Sequence, residues 1–315
     1  MAAVVNLSGN RFLVTGGSGF IGSHVVDGLV DAGAAEVVVF DQAVRSENLE
    51  RALESGRVTV VEGDVTDPGR LAEAMAGIGG VFHMSVLPLG ACVENPRLCH
   101  EVNVTGTLNV LEAAHVAGVR KVVYSSASSV YGDTPETMDE SHPLNARTMY
   151  GASKAAGEFY VRAFNDMYGL EYVTLRYMNV YGPRQEGGLV VAVTRRILSG
   201  EPPGISGDGS QSFDFVHVAD VAGANLHAMA SDVSDDAFNV GSGTEVTVRE
   251  IVEKLLEITE SDVEPEYRTD ERVLMMRRVG SNTRAKERLG WEAGRDLDDG
   301  LRDVVDSLRA AQAAR

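Results

Sequence analysis

The sequence has only two cysteines, Cys92 and Cys99, and no Cys-x-x-Cys pair. That excludes a disulfide framework and a structural zinc of the usual spacing. If their segment forms one helix, a separation of seven sets the two thiols two turns apart, beyond bridging distance, so they are not expected to pair. Cations are scarce as well: 28 Lys plus Arg stand against 46 Asp plus Glu, a formal net charge of −18. A nucleic-acid surface needs clustered cations to displace counterions, so no nucleic-acid partner is expected. An anionic small ligand stays compatible, because helix N-termini and a few arginines hold phosphates within an acidic protein. No apolar run reaches the ~18 residues of a membrane span. Met1 to Arg11 lacks the basic and apolar regions of a secretion signal. The expectation is a cytoplasmic globular protein with no membrane partner. What is present is a 44% hydrophobic composition over 315 residues, enough to bury roughly 75% of the unfolded chain's surface.

The first half alternates strand-like and helix-like segments. Arg11–Thr15, Glu36–Phe40, Val58–Glu62, Gly80–His83 and Lys121–Ser125 are short apolar runs without polar alternation, as for strands buried on both faces. Ile21–Val30, Pro68–Met75 and Val104–Ala117 carry helical spacing between them. Strands alternating with helices imply right-handed crossovers and a doubly wound parallel sheet. Thr148–Tyr168 reads as a long helix and Tyr172–Arg176 as another buried strand. Loops multiply after about Val180, around Tyr181–Gly188 and Gly200–Ser212. Val248–Ile258 and Asp299–Ala310 look like amphipathic helices. This pattern predicts a first domain over residues 1–180, completed by about 213–241. A smaller α/β domain is predicted from residues 181–212 and 242–315.

Thr15-Gly16-Gly17-Ser18-Gly19-Phe20-Ile21-Gly22 follows a strand and opens a helix. Gly16 allows the tight turn, Gly19 lets backbone approach a pyrophosphate, and Gly22 lets the helix pack on the strand. Phosphate oxygens then meet free N–H groups at the positive end of the helix dipole. Asp41 ends the next strand 19 residues after Gly22, where an acid accepts the ribose hydroxyls of NAD and repels the 2′-phosphate of NADP. Arg45, four residues further on, weakens that preference. Asp64 and Val65 end the third strand. Asp64 can reach an adenine amino group or cap the next helix, a role Asp67 fills equally well. Tyr150 and Lys154 are four residues apart, on one face of a helix. An ammonium and a positive nicotinamide ring both favour phenolate, which lets a tyrosine take a proton from an alcohol while hydride leaves its carbon.

Taken together, TGGSGFIG, Asp41, GDVTD, SSASSVYG, YGASK, LRYMNVYGPR and GDGSQSFDF resemble the extended short-chain dehydrogenase/reductase family. More narrowly, they resemble its NAD-dependent nucleotide-sugar epimerases and dehydratases, from about Arg11 to Trp291. The resemblance implies a Rossmann domain and a smaller C-terminal domain gripping a nucleotide diphosphate. It also implies tightly held NAD and a homodimer formed through roughly Leu98–Ala117 and Met149–Tyr168. It makes Tyr150 the catalytic base and Lys154 its partner and a ribose ligand. Gly16, Gly19, Phe20, Ile21, Asp41, Asp64, Val65, Met84, Asn103, Ser125 and Met178 would line the cofactor. Asn103 is equally readable as a buried structural amide, and His83 as a packed structural histidine. Asn179 and Arg278 would hold the sugar diphosphate, with Arg277 a rival for Arg278.

The departures from that pattern are informative. The family usually has Ser or Thr three residues before the Val of VYG, and this chain has Ala127. Ser126 and Ser128 flank it as substrate contacts, and Ser128 is the expected catalytic substitute. Dehydratases of the family carry an Asp-Glu pair next, and this chain has Ser128-Ser129. Phe213 stands where many relatives place a diphosphate-binding arginine. Arg184 alone is available for a sugar carboxylate, so a uronic acid is not favoured. The reading is an NDP-sugar 4-epimerase acting on a UDP- or dTDP-sugar through a transient 4-keto sugar. A dehydratase or decarboxylase, or a non-catalytic dinucleotide-binding module, is the alternative.

Overall fold

The computed structural model describes residues 7–268 and 276–313. Its first half runs β1 (Arg11–Thr15), α1 (Phe20–Asp31), β2 (Glu36–Asp41), α2 (Glu50–Glu54), β3 (Val58–Glu62), α3 (Pro68–Ala74), β4 (Gly80–His83), α4 (Leu89–Glu94), α5 (Pro96–His100), α6 (Gly106–Val116), β5 (Lys121–Ala127), α7 (Met149–Tyr168) and β6 (Glu171–Tyr177). Then come β7 (Asn179–Tyr181), α8 (Leu189–Leu198), β8 (Gly204–Ser206), β9 (Ser212–His217), α9 (Val218–Ala230), β10 (Asp236–Val240), β11 (Glu245–Thr247), α10 (Val248–Thr259), β12 (Glu266–Arg268), β13 (Arg277–Arg278), α11 (Thr283–Leu289) and α12 (Leu297–Ala313).

Seven parallel strands form one sheet in the order β10-β6-β5-β4-β1-β2-β3. β2 and β4 are buried along almost their whole length, as their unbroken apolar runs require of strands covered on both faces. One apolar cluster packs α1 and α9 on one face, and a second packs α3, α6 and α7 on the other. From β1 the chain winds outward to β2 and β3, then returns to β4 and winds the other way. A crevice therefore opens at the carboxyl ends of β1 and β4, where the winding reverses and such folds bind ligands. The architecture is the doubly wound α/β sheet expected from the alternation.

The return to this sheet starts later than residue 213. β9 is claimed by β7, β11 and β13 in a four-stranded sheet, so only α9 and β10 rejoin the large one. A third apolar cluster packs α8, α10 and α12 onto β9.

The cysteine expectation is overturned. Asn95 leaves helical backbone (φ −135°, ψ 84°), and its side chain caps α5 by accepting from the Leu98 N–H. Pro96 opens that new helix, as a proline at the first helical position does. Cys92 and Cys99 therefore lie on two helices joined at a corner, not two turns apart on one. Their Cα atoms come within 4.9 Å and the sulfurs form a disulfide. Where one helix was expected over 104–117, a π-helical turn at Glu101–Thr105 precedes α6.

α7 is tied to the sheet by a buried ion pair. Arg176 on β6 donates from Nη2 to Glu158 Oε2 at 2.7 Å and from Nε to Oε1 at 3.0 Å, with both side chains 8% exposed. Ser126 on β5 donates to the same carboxylate, and Arg176 Nη1 reaches the Tyr131 hydroxyl at 2.7 Å. Glu158→Ala strands the Arg176 guanidinium without its counter-charge. It should lower unfolding free energy by about 3–5 kcal/mol in urea denaturation, whereas a loss below about 1 kcal/mol would show the pair to be dispensable.

Candidate active site

A cavity of about 480 Å³ lies at the crevice. Gly16 enters it in left-handed backbone (φ +65°), and a Cβ there would sit 2.9 Å from the Ser85 amide. A Cβ on Gly22 would lie 2.2 Å from the Gly16 carbonyl, so both turns exclude any side chain. No side chain caps α1 at Gly19, which leaves the first-turn N–H groups of the helix facing the cavity. Phe20 and Ile21 line it beside them. This bare, positively polarised cradle fits a pyrophosphate.

Asp41, Asp64 and Val65 line the same cavity at the ends of the next two strands. Ser18 fixes Asp41: its N–H and Oγ donate to Oδ2 at 3.1 and 2.7 Å. The role of Ser18, inside the glycine loop, was not read from the sequence. Asp67 caps α3 by accepting from Gly69 and Arg70. The Asp64 carboxylate accepts only the Thr66 N–H among the described residues, at 2.8 Å, and Asp64 lines the cavity.

Asn103 supports the wall from behind. Its Oδ1 accepts the Leu87 N–H at 2.6 Å, and its Nδ2 donates to the Leu87 carbonyl and to Ser153 Oγ. Leu87 and Pro88 line the cavity, whereas Asn103 does not.

His83 lies beneath the cavity floor with Nδ1 2.8 Å from Thr15 Oγ1 and Nε2 2.9 Å from Thr107 Oγ1. The proton positions follow from the partners. Thr107 gives its hydroxyl proton to the Asn103 carbonyl, so His83 Nε2 is the donor. Thr15 Oγ1 accepts from the Met84 and Ser85 amides, which leaves its proton for Nδ1. The ring is thereby held neutral. Burial, reinforced by the Lys154 charge, lowers its pKa to about 3.

Tyr150 and Lys154 stand on one face of α7 and line the cavity opposite the glycine loop. Lys154 Nζ donates to the Ser125 carbonyl at 2.6 Å and lies 6.0 Å from the centre of the Tyr150 ring. Burial lowers the Lys154 ammonium to about 7, with the Glu158 charge opposing. Burial raises the Tyr150 phenol to about 12, with the Arg278 charge pulling it down. Ser125 and Met84 also line the cavity. The Ser125 hydroxyl lies 3.0 Å from that of Tyr177, which itself donates to Asn225 Oδ1 at 3.0 Å. Tyr177 lines the cavity too, a position no spacing along the chain had indicated.

Several candidates fall elsewhere. Ser128 is buried outside the cavity lining, because the chain turns into a 3₁₀ segment directly after Ala127. Ser126 reaches the lining, but its hydroxyl is spent on Glu158. Met178 packs beneath Gly241 and Gly280, outside the cavity, because strand alternation turns Tyr177 inward instead. Arg184 turns away to α1 and pairs with Asp27 at 2.7 Å.

Arg277 is fully engaged, by Glu245, Thr137 and the Pro135 carbonyl. Arg278 is 8% exposed, its Nε has no partner among the described residues, and burial lowers its pKa to about 10. Asn179 Nδ2 is likewise buried and unpaired. Arg278 sits opposite Phe213, and Asn179 opposite Phe215, on strands that flank β9. Neither lines the cavity described above. Two orphaned donors on strands that both pair with β9 are costly unless an acceptor arrives.

The glycine cradle, the acid at the end of β2 and the Tyr–Lys face thus meet in one crevice, and the family model described as "NAD dependent epimerase/dehydratase family" matches residues 12–241. The chain belongs to the NAD-dependent epimerase/dehydratase family. It is 37% identical over 310 residues to UDP-glucose 4-epimerase of Mycolicibacterium smegmatis, covering 95% of this chain and 98% of that one. It is 31% identical to UDP-glucuronic acid decarboxylase 6 of Arabidopsis thaliana, covering 96% and 90%. The crystal structure of UDP-glucose 4-epimerase from Thermotoga maritima with UDP-glucose superposes with a TM-score of 0.90, at 35% identity over 96% of this chain and 99% of that one. Family members of differing reaction type thus share this fold.

The neutral His83 beneath this family's crevice has a measurable signature. Its pKa falls from 6.5 to about 3 on folding, so the unfolded chain binds the proton first. The stability it contributes is complete above about pH 6.5 and declines as pH falls toward 3. Between pH 7 and pH 5 the decline should be about 1–2 kcal/mol. His83→Asn should flatten it by that amount, and equal slopes for the two proteins would contradict it.

Proposed function

We propose that this protein is an NDP-sugar 4-epimerase that holds NAD and acts by transient oxidation at C4 of the sugar. The observation that carries the reading is the pairing of Tyr150 and Lys154 across the crevice from the glycine cradle, with no acid at Ser128-Ser129 to remove water. Gly16, Gly19, Phe20 and Ile21 would hold the pyrophosphate, Asp41 the ribose, and Asp64 and Val65 the adenine. When bound, NAD supplies a reversible hydride acceptor. Tyr150 takes the proton of the C4 hydroxyl and later returns it, and the Lys154 ammonium favours the phenolate. Ala127 has no polar atom to offer the sugar. Ser125 lines the cavity, shares the strand face of Ala127 and has its hydroxyl 3.0 Å from that of Tyr177, whereas Ser126 is spent on Glu158, so that hydrogen bond is assigned to Ser125 rather than Ser128. The unpaired donors of Arg278 and Asn179 suit the oxygens of a diphosphate.

Decarboxylation is less well supported. Arg184 is taken by Asp27 and Arg277 by Glu245, which leaves neither free to hold a sugar carboxylate. UDP is favoured over dTDP by the relatives' substrates.

The test is interconversion of UDP-galactose and UDP-glucose by the purified protein, with UDP-glucuronate as the competing substrate. Tyr150→Phe should lower turnover by about 10²–10⁴, while NAD released on denaturation stays unchanged. Near wild-type turnover in that variant, or carbon dioxide release from UDP-glucuronate, would refute the reading.

A homodimer through α6 and α7 belongs to the same proposal. Val116, Phe159 and Met167 on these helices are 85%, 63% and 69% exposed, an apolar surface that a partner helix pair would cover. Sedimentation should give a dimer for the wild type and a monomer for Phe159→Glu. A wild-type monomer at micromolar concentration would reject this interface.

A further inference from the structure

Two side chains from distant parts of the chain meet at the rim of the cavity. Arg45, in the loop after β2, donates from Nη2 to Glu186 Oε2 at 2.9 Å. Both line the cavity on the side of Asp41. Among the described residues lining it, only Arg45 and Lys154 are basic, and Lys154 is committed to the Ser125 carbonyl. Arg45 is therefore the cation at this end, and it faces an anion already.

Glu186 is brought there by a strap that is itself held down. In the segment from Gly182 to Gly188, the Pro183 carbonyl lies 3.1 Å from His24 Nε2, and Arg184 Nη2 donates to Asp27 at 2.7 Å. Gln185 Nε2 donates to the Val180 carbonyl at 3.1 Å, and Arg195 donates to the carbonyl of Glu186 itself at 2.7 Å. Arg184 adopts left-handed backbone (φ 68°), a conformation a non-glycine residue keeps only where its surroundings over-determine it. The Asp27 pair supplies that restraint. The backbone of Glu186 is thus fixed over the rim.

We propose that Glu186 is a specificity-determining residue that excludes a 2′-phosphorylated dinucleotide by keeping Arg45 paired. The inference rests on the reading that this cavity holds NAD. A 2′-phosphate placed by Asp41 needs a cation to offset the carboxylate. With Glu186 present, Arg45 must break its pair with that anion to serve the phosphate. Glu186→Gln removes that anion and frees Arg45. The pair is 41% and 67% exposed, so solvent screens it and the change is several-fold rather than many orders.

The experiment equilibrates purified protein with equal excess NAD and NADP, removes free dinucleotide, denatures the protein and measures the released ratio by mass. Wild type should release mostly NAD. Glu186→Gln should raise the NADP-to-NAD ratio about 3–10-fold, and Arg45→Ala added to it should restore the wild-type ratio. An unchanged ratio in Glu186→Gln, with NAD retained, overturns the inference and leaves the cofactor reading intact. A raised ratio that persists without Arg45 also overturns it, because repulsion alone would then account for the discrimination. Wild type that retains neither dinucleotide overturns both.

Discussion

Glu158 and Arg176 form the contact on which the geometry of the crevice depends. Tyr150, Lys154 and Glu158 recur every four residues along α7, so one helix face carries the proposed proton-transfer pair and its anchor together. Glu158 meets Arg176 on β6 and Ser126 on β5, which fixes the rotation of α7 against both strands. A different rotation would carry Tyr150 and Lys154 away from the cavity. The same carboxylate supplies the charge that opposes the desolvation of Lys154. A buried pair of this kind adds little net stability over an apolar replacement, but removing one partner is costly. Its value lies in the single helix orientation it permits.

Beneath the opposite wall, a second polar network positions the chain without net charge. Hydrogen bonds run in one direction from Thr15 through His83 and Thr107 to the Asn103 carbonyl, and the Asn103 side chain exchanges a hydrogen bond each way with Leu87 in the loop beyond. That loop forms the wall facing the glycine cradle. The corner between α4 and α5, with its disulfide, packs against the same asparagine. Fully satisfied buried networks fix one arrangement where apolar packing tolerates several. The contrast with Arg278 and Asn179 is informative. Among the described residues their donors are buried and unpaired on strands of the smaller sheet, as the proposed role of diphosphate ligand requires.

Local and periodic features were legible from the sequence. The unbroken apolar runs of the parallel strands, the glycine loop, the acid closing β2 and the Tyr-x-x-x-Lys spacing each depend on residues a few positions apart. Hydrophobic burial and helix geometry translate such patterns into structure with little ambiguity. Legibility stopped where a local exception intervened. Asn95-Pro96 broke one expected helix into two and brought Cys92 to Cys99. The 3₁₀ turn after Ala127 buries Ser128, the expected catalytic substitute, outside the cavity lining. Strand alternation at Tyr177 and Met178 exchanged the expected side chain for its neighbour.

The sequence by itself determined the doubly wound sheet, the position of its crevice and the Tyr150–Lys154 face, because covalent spacing decides which neighbours share a helix face or a strand end. Only the tertiary structure decided which charges are free. Arg45, Arg184, Arg277 and Arg278 are equivalent cations in a sequence. Their partners Glu186, Asp27 and Glu245 lie between 32 and 157 residues away, and Arg278 keeps an Nε unpaired among the described residues. An ion pair is a property of distance and burial in space, and no spacing along the chain encodes it.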